Sequence, residues 1–578
     1  MSINIPRPEY PRPQFVRPDW INLNGKWEYM TDRAGSGHDR GLNKPDAVFT
    51  EEITVPFCRE SELSGINDKD FCSNVWYRKK INVPARWREN GRRTILHIGA
   101  CDYVTVVYVN GNRVGKHFGG YVSFSFDITD HLDGEENVVT IWVEDITKSG
   151  AQPSGKQSDT FHSRGCVYTR TTGIWQTVWL ENVERNYVVN TKYYPDLYNK
   201  QIVIEATVAG DEGVEFKAEA FFAGQKMGKG KTTSHGGKVK VTVPLKELYL
   251  WEVGCGRLYD LEITYGNDMV MSYFGMREIE NRAGIVYINS KPVFQRLVLD
   301  QGFYPDGIYT APTLQALEND IDMSIACGFN GARLHQKVFE PIFLSLCDKK
   351  GYIVWGEHAN WGLDVSSQSV YESFLPEWME ILKRDFNHPA IIGWCPLNET
   401  EPDINKTFVK LLYDITKSFD TTRVFIDGSG WTHVNGASDI WDLHCYEQDP
   451  EKFKARLDQF IDGGKANLHP WRENQFVSDC TFVSEYGGIR WTLEESSGWG
   501  YGEAPTTDND FIQRFKGLTE AILFHSNMGG LCYTQLTDVE QEVNGLYTYD
   551  RRPKFDVEIF REILSQPAAI EQVDEAVD

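Results

Sequence analysis

The period of the hydrophobic pattern changes near residue 281, and no other feature constrains the fold of this chain as strongly. Up to that point apolar and polar residues alternate in short runs broken by turns. Thr94–Ile98, Tyr103–Val109 followed by Asn110-Gly111, Tyr121–Ile128 and Val138–Val143 are examples. Period two buries one face of a strand, and Asn-Gly between two such runs signals a hairpin because both residues tolerate positive φ. Long helical patterns are missing from Ile21 to Asn182, so residues 1–185 read as a jelly-roll-like β-sandwich. Ile202–Val208, Val214–Phe222, Lys238–Pro244 and Leu258–Tyr265 repeat the alternation on a smaller scale. They predict an immunoglobulin-like sandwich over residues 186–280.

Beyond residue 281, strand-length apolar runs alternate with helical periodicity. Val293–Leu299 reads as a strand, and Thr310-Ala311-Pro312 opens a helix with Leu314, Leu317, Ile321 and Ile325 on one face. Further strands are expected at Phe329–Leu334, Tyr352–Glu357, Ile391–Leu397, Arg423–Asp427, Ile440–Cys445, Thr481–Glu485 and Gly530–Gln535. Helices fall between them, including one near Pro450–Phe460. Eight strands alternating with helices predict a catalytic (β/α)8 TIM barrel over residues 281–578. A doubly wound sheet usually places a Gly-rich phosphate loop after its first strand, and Asp300-Gln301-Gly302-Phe303 is not one.

Charge and composition narrow the partners. With 59 Lys+Arg against 83 Asp+Glu the net charge is −24, which argues against nucleic acid or an anionic membrane. No apolar run reaches the ~18 residues of a membrane span, and the first residues carry no apolar signal-peptide core. The 11 Cys are scattered without a Cys-x-x-Cys pair, which predicts reduced thiols and a cytoplasmic location rather than a disulfide or zinc framework. Aromatic residues make up 13% of the chain, and nine of its 17 Trp lie between Trp355 and Trp499. Flat apolar faces in such numbers suit a ligand that stacks on rings, as sugars do.

In a barrel of this kind chemistry sits at the C-terminal ends of the strands. Polar residues that close the apolar runs there are Asp300, Arg333, His335, Glu357, His358, Asn398, Glu399, His444, Tyr446, Glu485 and either Tyr533 or Gln535. Glu399 and Glu485 each end a buried strand, where a carboxylate is costly unless paired or used. Two carboxyls on strands four and seven have the chemistry of glycoside hydrolysis, one protonating the leaving oxygen and the other attacking the anomeric carbon or activating water. The three rim histidines come from different strands without paired ligand spacing, so neither a metal nor another cofactor is expected.

Asn387-His388-Pro389-Ala390-Ile391-Ile392-Gly393-Trp394 leading to Leu397-Asn398-Glu399 resembles the barrel of glycoside hydrolase family 2. So do Phe329-Asn330-Gly331-Ala332-Arg333-Leu334-His335, Ser484-Glu485-Tyr486-Gly487-Gly488 and Tyr549-Asp550-Arg551-Arg552-Pro553-Lys554. Leu23-Asn24-Gly25-Lys26-Trp27, Trp76-Tyr77-Arg78 and Gly173-Ile174-Trp175-Gln176 are similar to its sugar-binding sandwich. The family includes β-galactosidases, β-glucuronidases and β-mannosidases. The resemblance implies a retaining exo-β-glycosidase with Glu399 as acid/base and Glu485 as nucleophile. It also implies Asn398 on the sugar 2-OH, Arg333 and Tyr446 beside Glu485, and the two carboxyls about 5–5.5 Å apart. Asp300, His335, Glu357 and His358 are expected to bind sugar hydroxyls. Tyr533 is expected to stack where relatives end the last strand in Trp.

The chain departs from the family at two informative places. Leu299-Asp300-Gln301-Gly302 replaces the Arg-His-Glu of the large β-galactosidases, so their metal-dependent site does not transfer. Where glucuronidases carry an Asn-x-Lys element that grips the sugar carboxylate, this chain has Glu542-Val543-Asn544. That argues against a glucuronide and favours a neutral glycone, galactose first; another glycone, whether glucuronide, mannoside, arabinoside or galactofuranoside, is the alternative. A non-catalytic carbohydrate-binding protein on the same barrel is the rival class. The partners expected are a glycoside or oligosaccharide and, from the family's habit, further copies of the chain.

Overall fold

The computed structural model describes residues 5–463, 481–493 and 498–572. Trp471 and Cys480 lie outside them. Two antiparallel sheets form the first layer pair. Trp20–Asn22, Val178–Val183, Arg93–Ile98 and Phe124–Asp127 make the smaller sheet. Six strands make the larger, in the order Glu51–Val55, Gly25–Thr31, Asn74–Asn82, Glu136–Glu144, Val104–Val109 and Asn112–Phe118. Between them lies a core of Trp27, Tyr29, Tyr77, Leu96, Val107, Ile141 and Leu180. The pleat explains the alternation: in Gly25–Thr31, Trp27 and Tyr29 are buried and Lys26 and Glu28 exposed.

The second sandwich has seven antiparallel strands in sheets of three and four. Tyr187–Asp196, Gln201–Ala209 and Lys238–Pro244 face Gln225–Thr233, Glu215–Phe222, Tyr259–Tyr265 and Asp268–Phe274. Val239, Val241 and Val243 of the third strand all point inward, as period two requires.

Eight parallel strands carry the rest: β1 (Gln295–Asp300), β2 (Gly331–Leu334), β3 (Ile353–Glu357), β4 (Ile391–Cys395), β5 (Val424–Phe425), β6 (Trp441–Cys445), β7 (Thr481–Gly487) and β8 (Met528–Thr534). Their ladder runs β5-β4-β3-β2-β1-β8-β7-β6, every pairing parallel. Leu397–Asn398 pairs with Gly428–Ser429 and extends the wall above β4 and β5. Helices fill the crossovers: α1 (Leu314–Ala326), α2 (Pro341–Lys350), α3 (Val370–Asp385), α4 (Lys406–Phe419), α5 (Pro450–Gly463), α6 (Asp508–Leu523) and α7 (Val557–Leu564). The first helix starts later than the Thr-Ala-Pro turn suggests, because the Thr313 hydroxyl accepts the Ala316 N–H and caps it there. Inside the barrel Trp355 stacks on Phe482 at 6.1 Å and donates to Gln295, so the interior is a packed core.

Among the contacts that join these bodies, three sets bear on the site and the N-terminal arm. The Arg17 guanidinium bonds Asp268 of the second sandwich through two nitrogens at 2.8 Å and Glu181 of the first at 3.1 Å. Arg7 forks onto Glu340 of the barrel at 2.9 and 2.8 Å. Loops of the first sandwich settle on the barrel rim, where the Tyr121 N–H donates to Glu377 at 2.7 Å. No helix among the described residues is long and apolar enough to cross a membrane. The ten cysteines among them are all unpaired in disulfides.

Candidate active site

Arg333 ends β2 with its guanidinium in the mouth of the barrel and holds four neighbours. Nε donates to Glu357 Oε1 at 2.6 Å, and Nη2 to Asn398 Oδ1 at 3.0 Å. Nη1 donates to Glu485 Oε1 at 3.1 Å and to the Ser484 carbonyl at 2.9 Å. Strand ends from β2, β3, β7 and the 397–398 extension are thus tied to one planar group, which presents donors in a fixed fork. His335 lies in the same layer, Nδ1 3.3 Å from Glu357 and 4.0 Å from Glu485. Burial drives its pKa well down, so the imidazole is neutral.

Burial would push the Glu485 carboxyl up. The surrounding cationic groups, permanently charged Arg333 among them, together with the Tyr446 hydroxyl outweigh it and hold the pKa down to about 2. The Tyr446 O–H donates to Glu485 Oε2 at 2.5 Å, and Tyr501 stacks flat on Tyr446 with centroids 3.5 Å apart. Glu485 is therefore an ionised carboxylate 4% exposed, the state a nucleophile needs.

Glu399 sits across the mouth. Its backbone has φ +50, a left-handed conformation that costs a non-glycine residue about 1–3 kcal/mol, and such strain clusters at functional sites. The Glu399 N–H donates to the Ser429 carbonyl at 2.9 Å, which fixes the turn. Its Oε1 shares a hydrogen bond with His444 Nδ1 at 2.8 Å. His444 Nε2 meets Ser429 Oγ at 3.1 Å and stands 3.4 Å from Glu485. One oxygen of each glutamate and one nitrogen of His444 lie within 4.8 Å of one another. That closeness lets the two carboxyls act on one bond, as the carboxyl pair of a glycoside hydrolase does. Among the described residues this trio is also the one group close enough to share a metal ion. Both His444 nitrogens are already engaged, which favours proton chemistry.

Asn398 is built to donate. Its Oδ1 takes Arg333, its N–H goes to Asn360 Oδ1 at 2.9 Å, and its buried Nδ2 has no partner among the described residues. An orphaned amide donor beside two carboxylates awaits an acceptor from a ligand.

Three residues expected on the rim do not join the cluster. On β8, Gly530 packs against Gln295 and Phe482 of the interior, so by alternation Tyr533 points outward. Its ring lies 5.0 Å from Phe515 of α6 and 5.6 Å from Tyr486, fully buried, and cannot stack on a sugar. Asp300 also faces outward, accepting the Gly302 N–H at 2.9 Å near Lys337, Asp320 and Arg551. Burial and Asp320 raise its carboxyl to about 7. His358 is wedged behind β3 against Phe374 at 4.3 Å and Trp378, with Nε2 3.4 Å from Glu377 of α3. Glu357 is brought to the cluster, with Oε1 accepting from Arg333 and Oε2 facing His335.

His444 was visible as a strand-end histidine, but only its bridging position marks it as part of the machinery. Trp361, which donates to the Asn398 carbonyl at 3.3 Å, and Lys156 of the first sandwich carry no local signal. The Tyr533 hydroxyl is buried with no partner among the described residues. Tyr533→Phe is expected to stabilise the fold by about 1 kcal/mol, since it removes an unmet polar group. A denaturant melt and kcat on an aryl glycoside check this, and a large loss of turnover would return Tyr533 to the site.

Two family profiles match the chain. The sugar-binding domain of glycosyl hydrolases family 2 matches residues 21–183, and the TIM barrel domain of the same family matches residues 284–459. The chain belongs to glycoside hydrolase family 2. The curated relatives include a β-galactosidase of Thermoanaerobacter pseudethanolicus, 25% identical over 70% of this chain and 55% of that protein. A β-glucuronidase of Felis catus is 23% identical over 73% of this chain and 70% of that one. The family 2 chain spans only 55–60% of the length of the first three curated relatives. A solved Lactobacillus rhamnosus β-glucuronidase shares its fold with a TM-score of 0.81 at 18% identity, covering 97% of this chain and 99% of that one.

Proposed function

We propose that the protein is a retaining exo-β-glycosidase. The observation that carries the reading is the facing pair Glu399 and Glu485 with carboxyl oxygens within 4.8 Å. Glu485, ionised and fixed by Arg333 and Tyr446, attacks the anomeric carbon. Glu399 gives its proton to the departing oxygen, and the sugar becomes esterified to Glu485. Water then enters the vacated side, Glu399 takes its proton, and the ester is cleaved with net retention. The free Asn398 Nδ2 donates to the 2-OH, where a hydrogen bond strengthens as positive charge develops on the ring. His444, between both carboxylates, orients Glu399. The sandwich loops over the rim support action at a chain end.

A neutral galactoside fits the lack of a cation at residues 542–544. An acidic glycone, as in the relatives named β-glucuronidase, is not opposed by Glu542, given the way it is held. Its Oε2 accepts the Tyr168 hydroxyl at 2.6 Å and its Oε1 accepts Asn544 Nδ2 at 3.0 Å, so both oxygens are turned into the wall. Proton NMR of the first minutes of aryl β-glycoside hydrolysis is expected to show the β-anomer of the released sugar, with the α-anomer growing in later by mutarotation. The α-anomer first would overturn the retaining mechanism.

A further inference from the structure

One wall of the pocket comes from the first sandwich and not from the barrel. Gly155 has φ +58, and a Cβ there would stand 2.4 Å from the Gln336 carbonyl, so only glycine lets this loop press onto the rim. Ser154 and Gly155 donate their N–H groups to the Trp361 carbonyl at 2.8 and 2.9 Å. The next residue, Lys156, is 5% exposed. Its ammonium lies 3.9 Å from the centroid of the Trp361 ring, the same ring whose N–H touches Asn398.

No hydrogen bond or ion pair joins that ammonium to any of the described residues. The groups whose charge acts on it are Cys166, Glu542, Glu485 and Glu399, and it acts in turn on His335. Burial opposes the charge, but these negative groups outweigh it and raise the pKa, so Lys156 stays an ammonium, and the aromatic face adds about 2 kcal/mol at most. Set on the ring that touches Asn398, this ammonium has donor protons that no described residue takes and that a ligand oxygen could accept. The carboxylate nearest in sequence position to a glucuronidase's cation, Glu542, already spends both oxygens on Tyr168 and Asn544.

We propose that Lys156 is the specificity-determining residue of the glycone pocket, its ammonium taking a carboxylate carried by the terminal sugar, so that the preferred substrates are β-hexuronides. The assignment rests on the glycosidase reading of Glu399 and Glu485. The cation arrives from the sandwich domain and replaces, in charge though not in position, the one that residues 542–544 lack.

The test compares nitrophenyl β-glycosides in pairs that differ only at C6, glucuronide with glucoside and galacturonide with galactoside. The full-length protein is expected to favour the acidic member of at least one pair by 100-fold or more in kcat/KM. In Lys156→Met that preference collapses by about 100-fold, chiefly through KM, and Lys156→Arg restores part of it. Hydrolysis of neutral members alone overturns the role of Lys156 and leaves the glycosidase reading standing. Equal losses on both members in Lys156→Met mean a structural lysine and also overturn it. Silence on every pair overturns both. Should Lys156→Met fail to fold, competitive inhibition of the wild type by free glucuronate against free glucose decides, and inhibition no stronger by the acid overturns the proposal.

Discussion

Glu485→Ala is expected to lower kcat on an aryl β-glycoside by four orders of magnitude or more, on the order of the loss seen when other covalent nucleophiles are removed. The variant keeps Arg333, Tyr446 and Glu399, so the pocket still binds sugar but has no atom to accept it. Sodium azide is small enough to enter the space left by the carboxylate. It should restore turnover and yield the glycosyl azide of inverted configuration, α from a β-glycoside. Undiminished hydrolysis in Glu485→Ala, or azide without effect on a folded variant, would remove Glu485 from the nucleophile's place. The same carboxylate sets a pH signature. Its pKa falls from 4.5 in the free side chain to about 2 in the fold. The stability it contributes is therefore complete above pH ~4.5 and is lost as pH falls towards 2. An acid limb of activity between pH 5 and 7 has to arise elsewhere.

Arg333→Met carries the second large effect, and it strikes stability as well as rate. Glu357, Glu485 and Asn398 all lose their donor at once, and two of them are buried carboxylates. Breaking a buried pair by removing one partner costs about 3–5 kcal/mol. The denaturation midpoint should fall accordingly, and kcat/KM should drop by roughly 10³-fold as Glu485 loses one of the groups that, with His444 and Tyr446, hold it ionised. The acid limb of the rate should also move to higher pH, because burial then acts on Glu485 less opposed. Arg333→Lys is not expected to rescue, since one ammonium cannot reach three acceptors in a fork. A wild-type midpoint in Arg333→Met would show that the three acceptors are satisfied without it.

Much of this site was legible before any coordinates, for reasons that are local. A strand buried on both faces reads as a continuous apolar run, and the first polar residue after it is a rim residue. That rule located Glu399, Glu485, Arg333 and Asn398. It failed at Tyr533, Asp300 and His358 because it ignores the pleat. One residue of register separates the interior of the barrel from the helix layer, and Tyr533 falls on the wrong side of it, between Cys532 and Thr534. The wall contributed by Ser154 to Lys156 was not legible at all. Its sequence resembles any polar loop, and only the contact of Gly155 with Gln336, across 181 positions, gives it a role. The argument from Glu542 against an acidic sugar weighed charge without knowing which way the oxygens turn.

The N-terminal arm bears on how the molecule is made. Arg17 is translated long before its acceptors Glu181 and Asp268, and Arg7 long before Glu340. During synthesis at ~5–20 residues per second, Arg17 has no Asp268 and Arg7 no Glu340 until those distant residues have themselves left the ribosome. Each sandwich can collapse as it emerges, but the bolt through all three bodies closes only after the first turns of the barrel exist. A nascent chain halted before residue 340 should thus hold folded sandwiches on a loose arm, open to a protease that no longer cuts it in the finished protein.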